Sequence, residues 1–438
     1  MATVHRIPIP TQLLERFGVV PGGDDAVEFG YDHYDVSFTA DGQHMITLSR
    51  VYAGPKPWRG AESTILNCFL ITKCGSDGEA TAAAIGACSD DDGRPSQFSG
   101  PWLGSHVCAL PSGSVAVSTM GDCTYLIEED LAAVQAAFTQ PHQSPPERKN
   151  RADNPFVSAM RRTPGGRLLC LVEECDVYYG NSVRNLVGVA DDPLTPTSRP
   201  PVHVFATRDD RAERQTRHHQ RPYLLFDGAP VLGGHRPQPT LATLVPRGEE
   251  TVWINPHRPP TLRTPEPLSD DLFVVPLFSQ TLRGGSKGLP FVFALLDDTG
   301  KLHGRLEGMD AYRHSPYAGS HERVSTDPDR GLVYHLNKSG LFVWAGDGTL
   351  LSWLDTAVKE FKPLAAFELR GCAPDGDIVL IHPKQHLLLR IPVPDPKDPG
   401  PAVADALRDY RRLRTTLKKA HTPASWGWTW VPDQLHYL

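Results

Sequence analysis

Residues 284–288, GGSKG, have the G-x-S-x-G spacing of a nucleophile elbow, which would make Ser286 an acyl-transfer nucleophile. An elbow needs a strand before the serine and a helix after it. Here Pro290 and the strand-like FVFALLD follow, so the spacing predicts a hairpin connection instead. The same glycines lack the G-x-x-x-x-G-K-[ST] spacing of a phosphate loop. HERVS (321–325) begins like a zinc-binding H-E-x-x-H and stops short of the second histidine. Of 18 histidines, RHHQ (217–220) holds the one adjacent pair. The eight cysteines, Cys68, Cys74, Cys88, Cys108, Cys123, Cys170, Cys175 and Cys372, form no C-x-x-C pair. Most sit in apolar runs such as HVCAL and RLLCLVEEC, where a buried thiol behaves as a small apolar side chain.

The C-terminus holds a different chemistry, that of recognition. Trp426, Trp428 and Trp430 alternate in SWGWTW, which puts three indoles on one side of an extended segment. Burying each ring is worth about 1.5–3 kcal/mol, and an exposed row would aggregate. The tail is therefore expected to dock, on its own blades or on a partner. Ahead of it, residues 402–420 have the spacing of an amphipathic helix. Val403, Leu407, Tyr410, Leu413 and Leu417 form its apolar stripe. Arg408, Arg411, Arg412 and Arg414 lie on the other face with Lys418 and Lys419. These tryptophans and arginines are the candidate partner-binding residues. No catalytic residue and no metal ligand is assigned.

The elements that would carry such groups are short strands broken by glycine turns. TADG (39–42), PSGS (111–114), TPGG (163–166), DDTG (297–300), AGDG (345–348) and APDG (373–376) each separate two strand-like runs, with DPDRG (327–331) a longer relative. GSDG (75–78) and DDDG (90–93) have the same form. Residues 320–355 parse as four antiparallel strands, and 364–393 repeat the order. Looser units begin near 31, 105, 156, 240 and 272. Four short strands recurring in this way predict an all-β propeller of about six or seven blades over residues 1–400. Residues 401–438 would add the helix and the tryptophan-rich tail. Residues 206–223, with an arginine at every third position from Arg208 to Arg217, read as an exposed helix or loop, and 139–155 as an exposed connector.

Residues 320–393, through DPDRGLVYHLNKSGLFVWAGDG and APDGDIVLI, resemble blades of diverged bacterial propellers with NHL-, lactonase- or WD-like repeats. A weaker resemblance is to the propeller component of ternary systems that also contain a MoxR-type AAA+ ATPase and a von Willebrand A protein. That resemblance implies a non-catalytic scaffold with protein partners. The lactonase resemblance implies a hydrolase-like enzyme with a divalent cation such as calcium in its channel, held by carboxylate and amide oxygens. Asp35, Asn154, Glu173, Asn185, Asn255, Glu322 and Asp377 are the residues near strand starts that could supply them. SDDDGRPS (89–96) is a partial Asp-box, which implies a glycan binder. The scaffold reading, with no cofactor, is preferred.

Composition narrows the classes further. The chain has 438 residues, 40% hydrophobic and 22% charged, with 38 glycines and 41 prolines. That length supports a sizeable core, and the Gly and Pro content supports many turns. A net charge of −7 argues against nucleic acid or an anionic membrane as a general partner. The start, MATVHRIPIPTQLLERFG, has no long apolar run, so neither a signal peptide nor a membrane span is expected, and a cytoplasmic location is.

Overall fold

The computed structural model describes residues 3–6, 27–55, 66–75, 80–87, 106–119, 123–139, 155–176, 181–197, 203–209, 246–247, 250–251, 261–262, 264–278, 291–307, 323–383, 387–419 and 429–430. Six antiparallel sheets form a ring. Blade 1 is Val27–Phe38, His44–Pro55, Leu66–Gly75 and Ala80–Ala87. Blade 2 is His106–Ala109, Val115–Thr119, Cys123–Ile127 and Val134–Thr139. Blade 3 is Pro155–Arg162, Leu168–Asp176, Asn181–Ala190 and His203–Asp209. In blade 4 the inner strand is split: Thr261–Leu262 and Glu266–Pro267 both pair with Leu272–Phe278, followed by Phe291–Asp297 and Leu302–Arg305. Blade 5 is Val324–Asp327, Leu332–Asn337, Gly340–Ala345 and Leu350–Asp355. Blade 6 is Glu368–Cys372, Ile378–His382, Leu387–Ile391 and, as its outer strand, Thr3–Arg6 from the other end of the chain.

The inner strands touch in sequence from blade 1 to blade 6 and back to blade 1, so the ring is closed. The chain is an all-β propeller. Thr3–Arg6 completes the last sheet, which joins the chain's two ends by backbone hydrogen bonds.

Strand alternation explains why the sheets stack. Ile46 and Leu48 point to blade 2, where they meet Val107, Val117 and Tyr125. Their neighbour Met45 points the other way, to Val379, Ile381 and Leu388 of blade 6. Blade 5 repeats this: Tyr334 faces blade 6, and Val333 faces Phe293 and Leu295 of blade 4. Each blade is thus apolar on both faces, which is why its strands read as near-continuous apolar runs.

The turns follow the glycine pattern. Gly42, Gly113, Gly166, Gly331 and Gly376 all adopt positive φ between inner and second strands. Gly348, in the last hairpin of blade 5, has φ +93, and a Cβ there would sit 2.2 Å from the Arg305 carbonyl oxygen. The turns at 75–78 and 90–93 and the segment 284–288 lie outside the described residues, apart from Gly75, the last residue of its strand.

Two expectations need correction. No blade begins at 272: the described strands of blade 4 start at 261–267, and Leu272 opens its second strand; residues around 240 lie outside the described residues. Pro265 and Pro267 lack an N–H, so this inner strand is broken and short, without the apolar run that marks the others. The supposed exposed segment 206–223 begins as strand, since Ala206–Asp209 belong to blade 3's outer strand. Its register partners Val187 to Arg184 supply the hydrogen bonds that a loop would lack. The remainder, including RHHQ, lies outside the described residues, as does the connector 140–154.

Pro399 marks the end of the extended exit from blade 6, and α1, Gly400–Lys419, follows. The exit is pinned: Arg330 Nη1 donates to Pro394 O (3.2 Å) and Ser352 Oγ to Pro396 O (2.7 Å). Val403, Ala406, Leu407 and Tyr410 of α1 are buried in the core shared by blades 5 and 6, with Leu413 packed beside them. Tyr410 meets Phe367 edge-on at 5.0 Å. Thr429–Trp430 adds a short parallel strand to the outer edge of blade 1, opposite Ala84 and Ile85. The tail's backbone therefore docks on its own propeller there, while Trp426 and Trp428 lie outside the described residues. Cys74, Cys108 and Cys170 are buried, as their apolar surroundings predict, and Cys372 is partly buried. Among the described residues no helix is long and apolar enough to cross a membrane.

Candidate functional site

Every blade sends a charged or titratable side chain from its inner strand, or the residue just before it, toward the channel. They are Asp35, His106, Arg161, Glu266, Arg323 and Arg370, in blade order. Asp35 is the centre. Its side chain has no exposure. Arg161 grips it with both terminal nitrogens, Nη1 to Oδ2 at 2.9 Å and Nη2 to Oδ1 at 3.0 Å. Arg323 Nη1 donates to Oδ1, and His106 Nδ1 lies 3.0 Å from Oδ2. The Val107 backbone N–H adds a fifth donor at 3.1 Å.

Burial alone would raise the Asp35 pKa, but Arg161, Arg323 and His106 outweigh it and hold the carboxyl well below the usual range. Asp35 is a fixed anion. For His106 burial dominates and lowers the pKa to about 4, with Asp35 opposing. The ring is therefore neutral near pH 7, and Asp35 selects the tautomer with the proton on Nδ1.

Arg161 also donates through Nε to Glu266 Oε1 at 2.6 Å and through Nη1 to Met160 O at 2.8 Å. Burial would lower its pKa, yet Asp35 and Glu266 raise it. Glu266 is pushed up by burial, against the pull of Arg161. Arg370 pairs with Glu368 in its own strand, and its side chain is 3% exposed. Two guanidiniums, those of Arg161 and Arg323, thus share one saturated carboxylate. Leaving either partner of such a buried pair alone costs about 3–5 kcal/mol, so the network ties blades 1, 3 and 5 together.

A cavity of about 280 Å³ opens where the inner strands run into their turns. Ser37, Arg161, Glu266, Asp327 and Arg370 are among its lining. At the rim, Arg167 of blade 3 reaches Asp271 (2.9 Å) and Asp298 of blade 4, and Asp270 accepts from the Gly165 N–H.

Of the oxygen ligands suggested by the lactonase resemblance, Asp35 alone among the described residues is in this network. Its acceptor sites are taken by N–H donors, two of them guanidiniums, an arrangement that does not fit a divalent ion. Glu173 and Asn185 are register partners on the second and third strands of blade 3. Asp377 is engaged by Arg390 Nε (2.6 Å) and the Val393 N–H (2.9 Å). Asn154, Asn255 and Glu322 lie outside the described residues, as does the Asp-box segment 89–96. Among the described residues no three His, Cys, Asp or Glu side chains cluster as metal ligands.

The sequence reading missed His106, Arg161, Glu266, Arg323 and Arg370. Each is a charged or titratable residue inside or beside an apolar run just ahead of a turn, and that was the available signal. In HERVS the arginine, Arg323, is the channel residue, and His321 and Glu322 lie outside the described residues.

The arginines proposed for partner binding are together and exposed on α1. Arg408 pairs with Asp405 (2.9 Å) and Arg412 with Asp409 (3.1 Å). Arg411 Nη2 donates to Glu360 O at 3.4 Å, and the Arg414 guanidinium lies 6.0 Å from the Tyr410 ring centroid.

No protein-family model matches the chain, and no curated protein does. Among solved structures it is similar to the WD40 β-propeller domain of Doa1, at 12% identity over 84% of this chain and 95% of that one, TM-score 0.35. XC5397, a gluconolactonase from Xanthomonas campestris, is 11% identical over 89% and 94%, TM-score 0.37. U3-55K is 10% identical over 83% and 98%, TM-score 0.36. These likenesses carry no functional argument, and the propeller assignment stands on the closed ring of blades.

Proposed function

We propose that the protein is a non-catalytic protein-interaction scaffold of a bacterial-type cytoplasm. One observation carries this reading. Arg408, Arg411, Arg412 and Arg414 are exposed on a helix whose opposite face is locked into the core of blades 5 and 6. A cationic stripe on so rigid a mount suits an acidic protein surface, because little order is lost on binding. The fixed pairing of Asp35 supports the reading, since a carboxylate with a depressed pKa and five donors makes a poor base or nucleophile. The partners in this reading are proteins, with a MoxR-type AAA+ ATPase and a von Willebrand A protein the specific pair; that pair rests on the sequence resemblance alone. The metal-dependent hydrolase and the glycan binder are the alternatives.

Affinity capture from the source cytoplasm tests it, comparing the intact chain with a variant in which the four arginines are glutamine. Circular dichroism and thermal melts check that both fold. A protein held by the intact chain, lost by the folded variant and rebound when purified supports the scaffold. Equal capture by both removes the helix face from the account.

A further inference from the structure

We propose that the cationic stripe of α1 docks on an acidic patch of blades 3 and 4 in a second copy of this chain. The inference rests on the reading that the helix face binds an acidic protein surface, and it names that surface.

Three hairpin turns build the patch. Asp191 and Asp192 follow the third strand of blade 3. Asp270 and Asp271 lie between the inner and second strands of blade 4, and Asp297 and Asp298 at the end of its third strand. One guanidinium marks where the turns meet: Arg167 pairs with Asp191, Asp271 and Asp298 at 2.9, 2.9 and 3.3 Å. Asp270 is tied to the same place by the Gly165 N–H. Six carboxylates thus gather around Arg167, and Lys301 is the one Lys or Arg in the three turns among the described residues. The Asp191 and Asp271 side chains stay 77% and 75% exposed, so their charge faces solvent.

The helix is the complement. Residues 400–419 hold six Lys or Arg against Asp405 and Asp409. From Arg408 to Arg414 the exposed stripe runs about 9 Å along the axis. Within its own chain Arg408 pairs with Asp405, Arg412 with Asp409, and Arg411 with the Glu360 carbonyl. The helix is locked into blades 5 and 6, so the stripe and the patch meet between copies.

A net charge of −7 makes two copies repel as wholes. At about 0.1 M salt the screening length is about 10 Å, which mutes that repulsion and leaves groups in contact attracted. The two surfaces differ, so each copy can give its helix to one neighbour and its patch to another.

The test is analytical ultracentrifugation of the purified full chain over a range of protein concentrations, at about 0.1 M and about 1 M sodium chloride. Particles of more than one chain are expected at the lower salt and single chains at the higher. Two variants separate the surfaces. One has Arg408, Arg411, Arg412 and Arg414 changed to glutamine. The other carries Asp191→Asn, Asp192→Asn and Asp271→Asn, which leaves Asp298 on Arg167. Each alone should stay a single chain. Mixed, they should form a pair of one of each and nothing larger, because one intact helix and one intact patch remain between them. A wild type that is a single chain at the lower salt overturns the proposal, as does assembly that persists at the higher salt or a mixture of folded variants that stays unpaired. If either variant does not fold, the salt series on wild type decides. Capture of a different protein by the same arginines, without self-association, would leave the scaffold reading standing and remove this one.

Discussion

Asp35 of blade 1 and Arg161 of blade 3 meet across the channel in a two-point ion pair, with oxygen–nitrogen distances of 2.9 and 3.0 Å and no solvent exposure at the carboxylate. The pair spans non-adjacent blades, so it resists opening of the ring and not merely sliding of neighbours. Asp35→Ala leaves Arg161 and Arg323 without their shared anion and should destabilise the protein by about 3–5 kcal/mol in urea unfolding. Asp35→Ala with Arg161→Met should cost less than the sum of the single changes, because neither then strands the other.

Acid should loosen the network in two steps. The His106 pKa is about 6.5 in an unfolded chain and about 4 in the fold. Its depressed value means that stability is fully present above pH 6.5 and falls as pH drops toward 4, by up to about 3 kcal/mol. Asp35, also depressed, keeps its contribution until pH falls below about 4. Glu266, whose pKa is raised, works the other way and loses its contribution as pH rises above about 4.5. Comparing wild type with His106→Gln isolates the first step: between pH 7 and 4.5 the melting temperature should fall more in wild type.

The two faces of α1 should respond differently. Leu407 is 1% exposed within the shared core, so Leu407→Ala should cost about 2–5 kcal/mol. The Arg408 side chain is 72% exposed, and Arg408→Gln should change stability by less than about 0.5 kcal/mol. Chemical denaturation of both variants checks this contrast.

The blades and the helix were legible because each has a local signature. GLVYHLN, KSG, LFVWA and GDG spell three strands' worth of pattern around two turns, and blade 5 follows them. The stripe of Val403, Leu407 and Tyr410 likewise fixes which face of α1 is buried. Two things were not local. Thr3–Arg6 is too short to read as a strand alone, and its partner lies at the far end of the chain. The channel network takes one residue from each blade, so Arg161 and Arg323 look like ordinary strand-end charges until the ring closes. Blade 4 was displaced in the reading because proline interrupts its inner strand.

Closure by the first strand carries its own expectation. Deleting residues 1–6 removes the partner of Leu387–Ile391 and bares that strand's edge. Hydrogen exchange should rise at the Leu387–Ile391 amides, with a lower melting temperature and greater aggregation. Unchanged exchange there would show that the sheet does not need its fourth strand.

Calcium titration of the purified full chain by calorimetry tests the central claim most directly, because the scaffold and hydrolase readings differ over what the channel carboxylates do. With Asp35 committed to Arg161, Arg323 and His106, no saturable calcium binding is predicted. One calcium bound per chain, and lost in Asp35→Asn, would contradict the account and put the metal-dependent enzyme ahead of the scaffold.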